Sequence, residues 1–208
     1  MKQSDFLSGR IIGISDGVFA IAMTLLVLEL KLPALDPSED PSAFAAALMD
    51  RVPGFISWIL SFAILCRLWI IHHGLMRTGN TRSWRFLAWN LVFLAAVSFI
   101  PFPTSLLSEH HDQFLSVVVF SATYLVAGFA LGRMAVAYGR QSTSAAAATE
   151  ESSVARLVAI LVAVGLSSCL LALVHPWLGV LIWVVYPFAS AVGHRTRHPA
   201  ASQAKDGS

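Results

Sequence analysis

An aspartate interrupts an otherwise apolar stretch close to the start of the chain. Asp16 follows Ser15 within the segment 9–28, which carries few other polar side chains. A carboxylate at membrane depth is costly unless it meets partners or water, so it is a functional candidate by default. A structural interpretation is also open, in which Asp16 is a buried hydrogen-bond acceptor that locks helices together.

Two later apolar segments carry side chains that could meet Asp16. Trp69 and His73 lie four residues apart, on one face of a helix, and His72 is their neighbour. Asn90 belongs to the next apolar segment, where an interhelical hydrogen bond contributes roughly 0.6–2 kcal/mol. The pattern predicts a polar network between helices.

The other face of the first segment is aliphatic. At about 100° per residue, Ile21, Leu25 and Leu28 form a stripe roughly 60° wide, with Thr24 beside it. Small residues at helical spacing run next to the stripe: Gly9, Gly13, Gly17 and Ala20. Such a helix suits the centre of an oligomer, because small residues let helix backbones approach closely. The stripe could equally face lipid or a neighbouring helix.

The sequence lacks a set of ligands for a metal ion and several common catalytic motifs. No third or fourth ligand stands at helical spacing from the histidine pair, and Cys66 and Cys169 lie apart in apolar runs. Walker and HExxH motifs and the usual potassium-channel filter are also missing from the sequence. We therefore expect neither an enzyme, nor a cofactor, nor a fixed metal.

Composition places these residues in a membrane protein. The chain has 208 residues, of which 56% are hydrophobic and 12% charged, whereas soluble domains are roughly a quarter charged. A formal net charge of +2 is too small to suggest nucleic acid as a partner. A bilayer span requires about 20 mostly apolar residues. We expect an all-α integral membrane protein.

Six apolar segments predict six transmembrane helices within residues 1–194. The predicted spans cover residues 11–31, 52–74, 84–104, 113–138, 154–174 and 176–194. The segments 33–50 and 139–153 are predicted loops, and the polar tail 195–208 is expected to be disordered. Polar residues at membrane depth concentrate in the first three spans, which predicts that the working part lies there.

Charge distribution predicts the orientation. Most Lys and Arg residues fall on one side of the six predicted spans, with only Lys31 and Arg51 on the other. The positive-inside rule then puts both termini in the cytoplasm. Arg67 falls inside the second span, where it is expected to snorkel or to pair with an acid.

These motifs resemble a known family. Residues 10–22, Arg10-Ile-Ile-Gly-Ile-Ser-Asp-Gly-Val-Phe-Ala-Ile-Ala, resemble the Arg-x-x-x-Phe-Ser-Asp signature of bacterial relatives of the lysosomal potassium channel transmembrane protein 175. Trp69-x-x-His-His, Asn90-Leu and Pro101-Phe are similar to later motifs of that family, so the resemblance covers roughly residues 9–108. One departure is Ile14, which replaces an aromatic wedge and predicts altered local packing.

The resemblance implies a homotetramer of six-helix subunits in a bacterial inner membrane, conducting potassium and other monovalent cations. The first helix would line the pore. Its constriction would comprise Ile21, Leu25 and Leu28, with Thr24 beside it. The residues that would pack helices near the inner end are Arg10, Ser15, Asp16, Trp69 and His73, with His72 and Asn90 as neighbours. Modest potassium over sodium selectivity follows from the missing carbonyl filter, and protons are a further candidate permeant ion.

A proton-coupled secondary transporter is the main alternative, with Asp16 and a histidine of the second span as its relay. It predicts saturating flux that is driven by a pH gradient and lost in Asp16→Asn. The channel hypothesis predicts instead that Asp16→Asn harms folding or assembly, while Leu28→Ala alters conductance. A structural membrane protein without transport is a third alternative.

Overall fold

The computed structural model describes residues 3–31, 41–78, 83–139 and 145–184. Its helices are α1 (Gln3–Leu28), α2 (Pro41–Met49), α3 (Val52–Thr78), α4 (Trp84–Phe99), α5 (Pro101–Glu109), α6 (Phe114–Gly139) and α7 (Ala145–Ala172). Residues 176–184 are helical as well. The remainder of the sixth predicted span and the tail 195–208 lie outside the described residues.

Five stretches of the described chain are long and apolar enough to cross a membrane. They are Gly9–Leu28, Val52–Arg77, Trp84–Glu109, Phe114–Tyr138 and Val154–Ala172. The prediction of an all-α integral membrane protein is therefore confirmed. A sixth span stays a prediction, because only its first part, 176–184, is described.

Two of the predicted loops contain helix. The segment 33–50 includes α2, and the segment 139–153 includes the first turns of α7. Both stretches are rich in alanine, the residue with the highest helix propensity, and α2 begins with a proline, which suits a first helical position. The loop predictions were wrong there, because a segment that is too short (α2) or too polar (the start of α7) to span a membrane can still be helical.

A break divides the third membrane span into α4 and α5. Pro101 and Pro103 carry no N–H, so they cannot donate to carbonyls one turn back. The N–H of Ile100 bonds to the carbonyl of Val97 instead, at 3.2 Å, and its backbone stays in the right-handed helical region. The two helices therefore continue in series, with the break near one end of the span.

The core of the subunit is centred on α6, which packs against α4 and α7. About 56% of the α6 span is buried, against only 22% of the α1 span. α1 contacts α3 and α4 through one face, where Phe19, Ala22 and Leu26 are buried. The pore-helix candidate thus lies at the edge of the subunit with one face uncovered.

Candidate pore helix and polar network

The buried face of α1 carries a hydroxyl. The Ser15 Oγ donates to the carbonyl oxygen of Ile11, one turn back, at 2.9 Å, and its side chain is buried. This bond to the helix backbone satisfies the hydroxyl as a donor and leaves its lone pairs available to another helix. Ser15 can therefore accept a hydrogen bond from α4.

A chain of hydrogen bonds links α1 to α4 and α3. The Asn90 amide donates from Nδ2 to Ser15 Oγ at 3.5 Å, and Asn90 Oδ1 lies 2.7 Å from His72 Nε2. Since an amide oxygen only accepts, His72 donates from Nε2. Asn90 and His72 are both buried, and the His72 ring stacks on Phe93 with centroids 4.9 Å apart. These contacts join three helices at one depth.

A second connection runs from Asp16 to α3. The indole Nε1 of Trp69 donates to Asp16 Oδ1 at 2.9 Å, and Nδ1 of His73 lies 3.7 Å from the same oxygen. The Trp69 and His73 rings pack together with centroids 5.5 Å apart, as their spacing on one helix face predicts. Asp16 is only half-buried, so this connection lies at the rim of the helix interface.

Arg10, the remaining residue of the predicted network, and two further positions, Arg67 and Ile14, are less buried than Asn90 and His72. Arg10 precedes Asp16 on α1 with an exposed side chain, and Arg67 is half-buried within α3. Ile14 is 61% exposed on the uncovered face of α1, away from Asn90 and His72. Within the subunit, the missing aromatic ring therefore leaves no gap against α3 or α4. Its effect falls on whatever contacts the exposed face.

The aliphatic stripe lies on the uncovered face of α1. Ile21 is 61% exposed, Leu25 is 40% exposed and Leu28 is 62% exposed. Thr24 is also exposed, and its hydroxyl bonds to carbonyls of its own helix, those of Ala20 at 3.0 Å and Ile21 at 2.9 Å. The network and the stripe therefore occupy opposite faces of one helix, as the angular spacing predicts.

Close packing within the described part of the subunit does not require the glycines of α1. A Cβ atom added at Gly9, Gly13 or Gly17 would meet nothing within 4 Å outside its local helix backbone. Glycine in the middle of a helix costs about 1 kcal/mol relative to alanine. No packing contact within the described part of the subunit offsets this cost, so the single subunit does not explain why glycine occupies these positions.

The second half of the chain contains a buried polar cluster that the sequence did not predict. The Trp183 indole donates to Ser121 Oγ at 3.1 Å, Ser121 Oγ bonds to Ser168 Oγ at 3.2 Å, and Ser168 Oγ bonds to the carbonyl of Gly179 at 2.7 Å. The cluster ties α6, α7 and the 176–184 helix together. Its one available signal was Trp183, since a buried indole N–H usually finds a partner.

The apolar helices and their buried polar links define an all-helical integral membrane protein. Residues 10–101 match the family described as endosomal/lysosomal potassium channel TMEM175. A crystal structure of a lysosomal potassium-selective channel TMEM175 homolog from Chamaesiphon minutus aligns with a TM-score of 0.74 and 28% identity. That alignment covers 92% of this chain and 98% of the solved chain.

Relatives in sequence give the same picture. The chain is 35% identical over 136 residues to a protein of Chamaesiphon minutus named potassium channel, covering 64% of this chain and 66% of the relative. It is 33% identical over 117 residues to a potassium channel of Streptomyces collinus, covering 56% and 55% of the two chains. The chain thus spans about half to two thirds of the length of these relatives.

These matches confirm the predicted resemblance to the TMEM175 family. The family consists of ion channels, which are not enzymes. This agrees with the absence of the Walker and HExxH motifs from the sequence. The matched residues 10–101 contain both faces of α1 and its hydrogen-bond partners on α3 and α4. The part of the chain that carries the family match is also the part that positions the stripe.

Proposed function

We propose that this chain is the subunit of a potassium-permeable cation channel whose pore is lined by α1. The observation that carries the proposal is the uncovered aliphatic face of α1, in the least buried of the five described spans. Relatives that are named potassium channels support the same function. Neither of these two relatives is named as a secondary transporter.

The spacing along the uncovered face favours association of α1 with copies of itself. The exposed residues Ile14, Ile21, Leu25 and Leu28, together with Val18, which is half-buried against the core, alternate steps of four and three residues. That is the repeat of about 3.5 residues by which helices form a shared seam. Gly9, Gly13 and Gly17, where an added Cβ would meet nothing within 4 Å, would let neighbouring copies approach. We therefore propose a homotetramer with four α1 helices around one axis.

Ion passage through this pore follows from the side chains of the stripe. Rings of Ile21, Leu25 and Leu28 would form a constriction that dewets when the helices are close and admits ions when they separate. The hydroxyls of Thr24 would interrupt the apolar wall. Selectivity would come from pore width and weak fields, so potassium is favoured only modestly over sodium. Potassium is then a permeant ion that binds transiently, and neither a cofactor nor a fixed metal is required.

The network behind α1 would hold the pore helix in place. Ser15 and Asp16 lie on the side of α1 away from the stripe. They face the network residues of α3 and α4, which are Asn90, His72 and Trp69. Asp16 is engaged by an indole N–H at 2.9 Å, an arrangement that suits packing better than proton relay. Removal of the Asp16 carboxylate would therefore reduce the amount of assembled channel more than the current through each assembled channel.

We further propose six spans, with both termini in the cytoplasm of a bacterial cell and the helices in its inner membrane. The helical stretch 176–184 supports a sixth span, since it resumes directly after the turn that ends at His175. The Lys and Arg distribution supports the orientation. Cysteine labelling from each side of intact inverted and right-side-out vesicles would test it.

The test of the channel function is potassium flux into liposomes that contain purified protein. Leu28→Ala is compared with Leu91→Ala, which removes an equally exposed leucine, 62% in both cases, from α4. We expect passive flux in the wild type, a conductance change in Leu28→Ala alone, and normal flux per assembled channel in Asp16→Asn. Sodium and a proton gradient serve as comparison conditions.

Flux that saturates, requires the proton gradient, ignores Leu28→Ala and disappears in Asp16→Asn would identify a proton-coupled carrier. Wild-type protein that is folded yet carries no flux under any of these gradients would favour a structural role.

A further inference from the structure

A small pocket lies where three membrane spans end at the same side of the subunit. It begins directly after Leu28, the last residue of α1, and is bounded by the start of α3 and the end of α5. Its volume is about 90 Å³, and the side chains that matter for its chemistry are those of Glu29, Lys31, Arg51, Phe55 and Ser108. The site therefore joins the end of the proposed pore helix to two other helices.

The pocket lies at the boundary of the membrane. The spans Gly9–Leu28, Val52–Arg77 and Trp84–Glu109 all reach their limit beside it. The short helix α2 contributes Leu48 to its wall and exposes Phe44 and Met49 nearby. A short helix with exposed large apolar residues between two spans fits a position in the interfacial plane of the bilayer. Lipid headgroups are therefore the molecules at hand.

The charges of the pocket are not neutralised by one another. Glu29 and Arg51 are half-buried and Lys31 is exposed. Within the described ranges, no ion pair at 4.0 Å or less joins any two of these three residues. A half-buried charge next to the apolar region of a membrane is costly without a counter-charge. The pocket thus presents one carboxylate and two cations that are available to a ligand carrying both signs of charge.

We infer that this pocket binds a zwitterionic phosphoethanolamine headgroup. Its phosphodiester oxygens would accept hydrogen bonds from the Arg51 guanidinium and the Lys31 ammonium, and its primary ammonium would donate to the Glu29 carboxylate. Ser108 adds a hydroxyl donor to the phosphate side. A cavity of about 90 Å³ admits the small headgroup, and acyl chains would leave along the apolar wall at Phe55.

Close helix packing gives the pocket its shape. A Cβ atom at Gly54 would come within 2.6 Å of Ser108 Oγ and 3.6 Å of a Leu30 methyl. Glycine at this position therefore lets α3 approach α5 and the end of α1 together. A headgroup bound here would tie these three elements to each other. Its effect on the pore rests on the proposed function, whereas its binding does not.

The test is a lipid titration of the purified full chain, followed by thermal unfolding monitored through tryptophan fluorescence. The probes are dioleoylphosphatidylethanolamine, dioleoylphosphatidylglycerol, which lacks the ammonium, and dioleoylphosphatidylcholine, whose quaternary ammonium donates no N–H. We expect the ethanolamine lipid to bind about tenfold more tightly than either, since each lacks one charge-assisted hydrogen bond. Soluble phosphoethanolamine is titrated separately. Binding as tight as that of the lipid would identify a soluble ligand for the same chemistry.

Three variants examine the assignment. Glu29→Gln should lower binding of the ethanolamine lipid to the level of the glycerol lipid, while Arg51→Gln should weaken binding of all three lipids. Arg85→Gln is the control, because it removes an exposed arginine from the first turn of α4, at the opposite membrane boundary. It should change neither the preference for the ethanolamine lipid nor the binding of the three lipids. Glu29→Gln keeps the test decisive if Arg51→Gln misfolds.

Two results would overturn the assignment. One is a wild type that binds the ethanolamine lipid no better than the glycerol lipid, and the other is a Glu29→Gln protein that retains the preference. The flux experiment is independent of both results. A preference for ethanolamine without potassium flux would retain the pocket and reject the channel, and flux without the preference would do the reverse.

Discussion

Two adjacent histidines of α3 have different surroundings. His72 is buried, bonded to Asn90 at 2.7 Å and flanked by the rings of Phe19 and Phe93. His73 is half-buried and lies 3.7 Å from the carboxylate of Asp16. Adjacent residues on a helix point about 100° apart, so one histidine faces α4 while the other stays at the rim. The buried one is the better target for testing the network.

Asn90→Leu should destabilise the subunit by about 1–3 kcal/mol, because it leaves the buried His72 Nε2 without an acceptor and removes the bond to Ser15. The measurement is unfolding of the purified protein by heat or denaturing detergent. Ser98→Ala is the matched control on the same helix, since Ser98 is exposed and bonds only to the carbonyl of Ala95. Equal stability of the two variants would mean that the network does not hold α1 to its neighbours.

Several polar side chains in the apolar helices could be located from the sequence as members of an interhelical network. Asp16, Trp69, His72, His73 and Asn90 stand out because membrane burial makes an unpartnered polar group costly, and Ser15 stands out as the neighbour of Asp16. The structure brings these residues into contact. The serines of α6 and α7 carry no such cost, since a hydroxyl can bond to its own helix. Only their placement opposite Trp183 reveals the second cluster, and that placement is tertiary information.

At the scale of elements, the second cluster depends on a close approach of the 176–184 helix. A Cβ atom at Gly179 would lie 2.7 Å from the carbonyl oxygen of Ser168 and 2.9 Å from the Ala172 Cβ and a Val117 methyl. The backbone oxygen cannot rotate away as a flexible side chain could. The approach is therefore possible only with glycine.

Gly179→Ala should accordingly destabilise the subunit by about 1–3 kcal/mol, as overpacking does in a dense core. Gly132→Ala is the control, because a Cβ there meets only the methyls of Val158, the nearer at 3.2 Å, and alanine favours the helix. Thermal unfolding of both variants in detergent measures the difference. A Gly179→Ala protein as stable as Gly132→Ala would show that the 176–184 helix does not pack as described.

The apolar spans could be predicted from the sequence, because about 20 consecutive apolar residues leave few alternatives to a membrane helix. Helix ends were less predictable. α1 begins eight residues before its predicted span, at Gln3, and α2 and the first turns of α7 fell in predicted loops. Hydropathy reports where the bilayer is, whereas helix ends depend on propensity and capping outside it. The proline break at Ile100 shows the same distinction, since it interrupts the helix without interrupting the span.

At the scale of the whole molecule, the subunit is asymmetric in how it covers its helices. The interior is dense around α6, while α1 is held at one edge by the two polar connections. An aliphatic face on an edge helix could simply contact lipid acyl chains. Contact with identical helices differs from lipid contact in one measurable way, because it brings the same residue of several copies close together.

Single cysteines in a background without Cys66 and Cys169 distinguish the two arrangements. Ile21→Cys or Leu25→Cys, treated in membranes with a short bifunctional maleimide, should give a ladder of linked species that ends at the tetramer. Leu170→Cys on α7, where the leucine is also exposed, should remain largely monomeric. Linkage at Leu170 but not on α1 would put α7 at the oligomer interface and remove α1 from the pore. Linkage that follows the stripe and stops on the opposite face of α1 would establish the shared seam that the proposed channel requires.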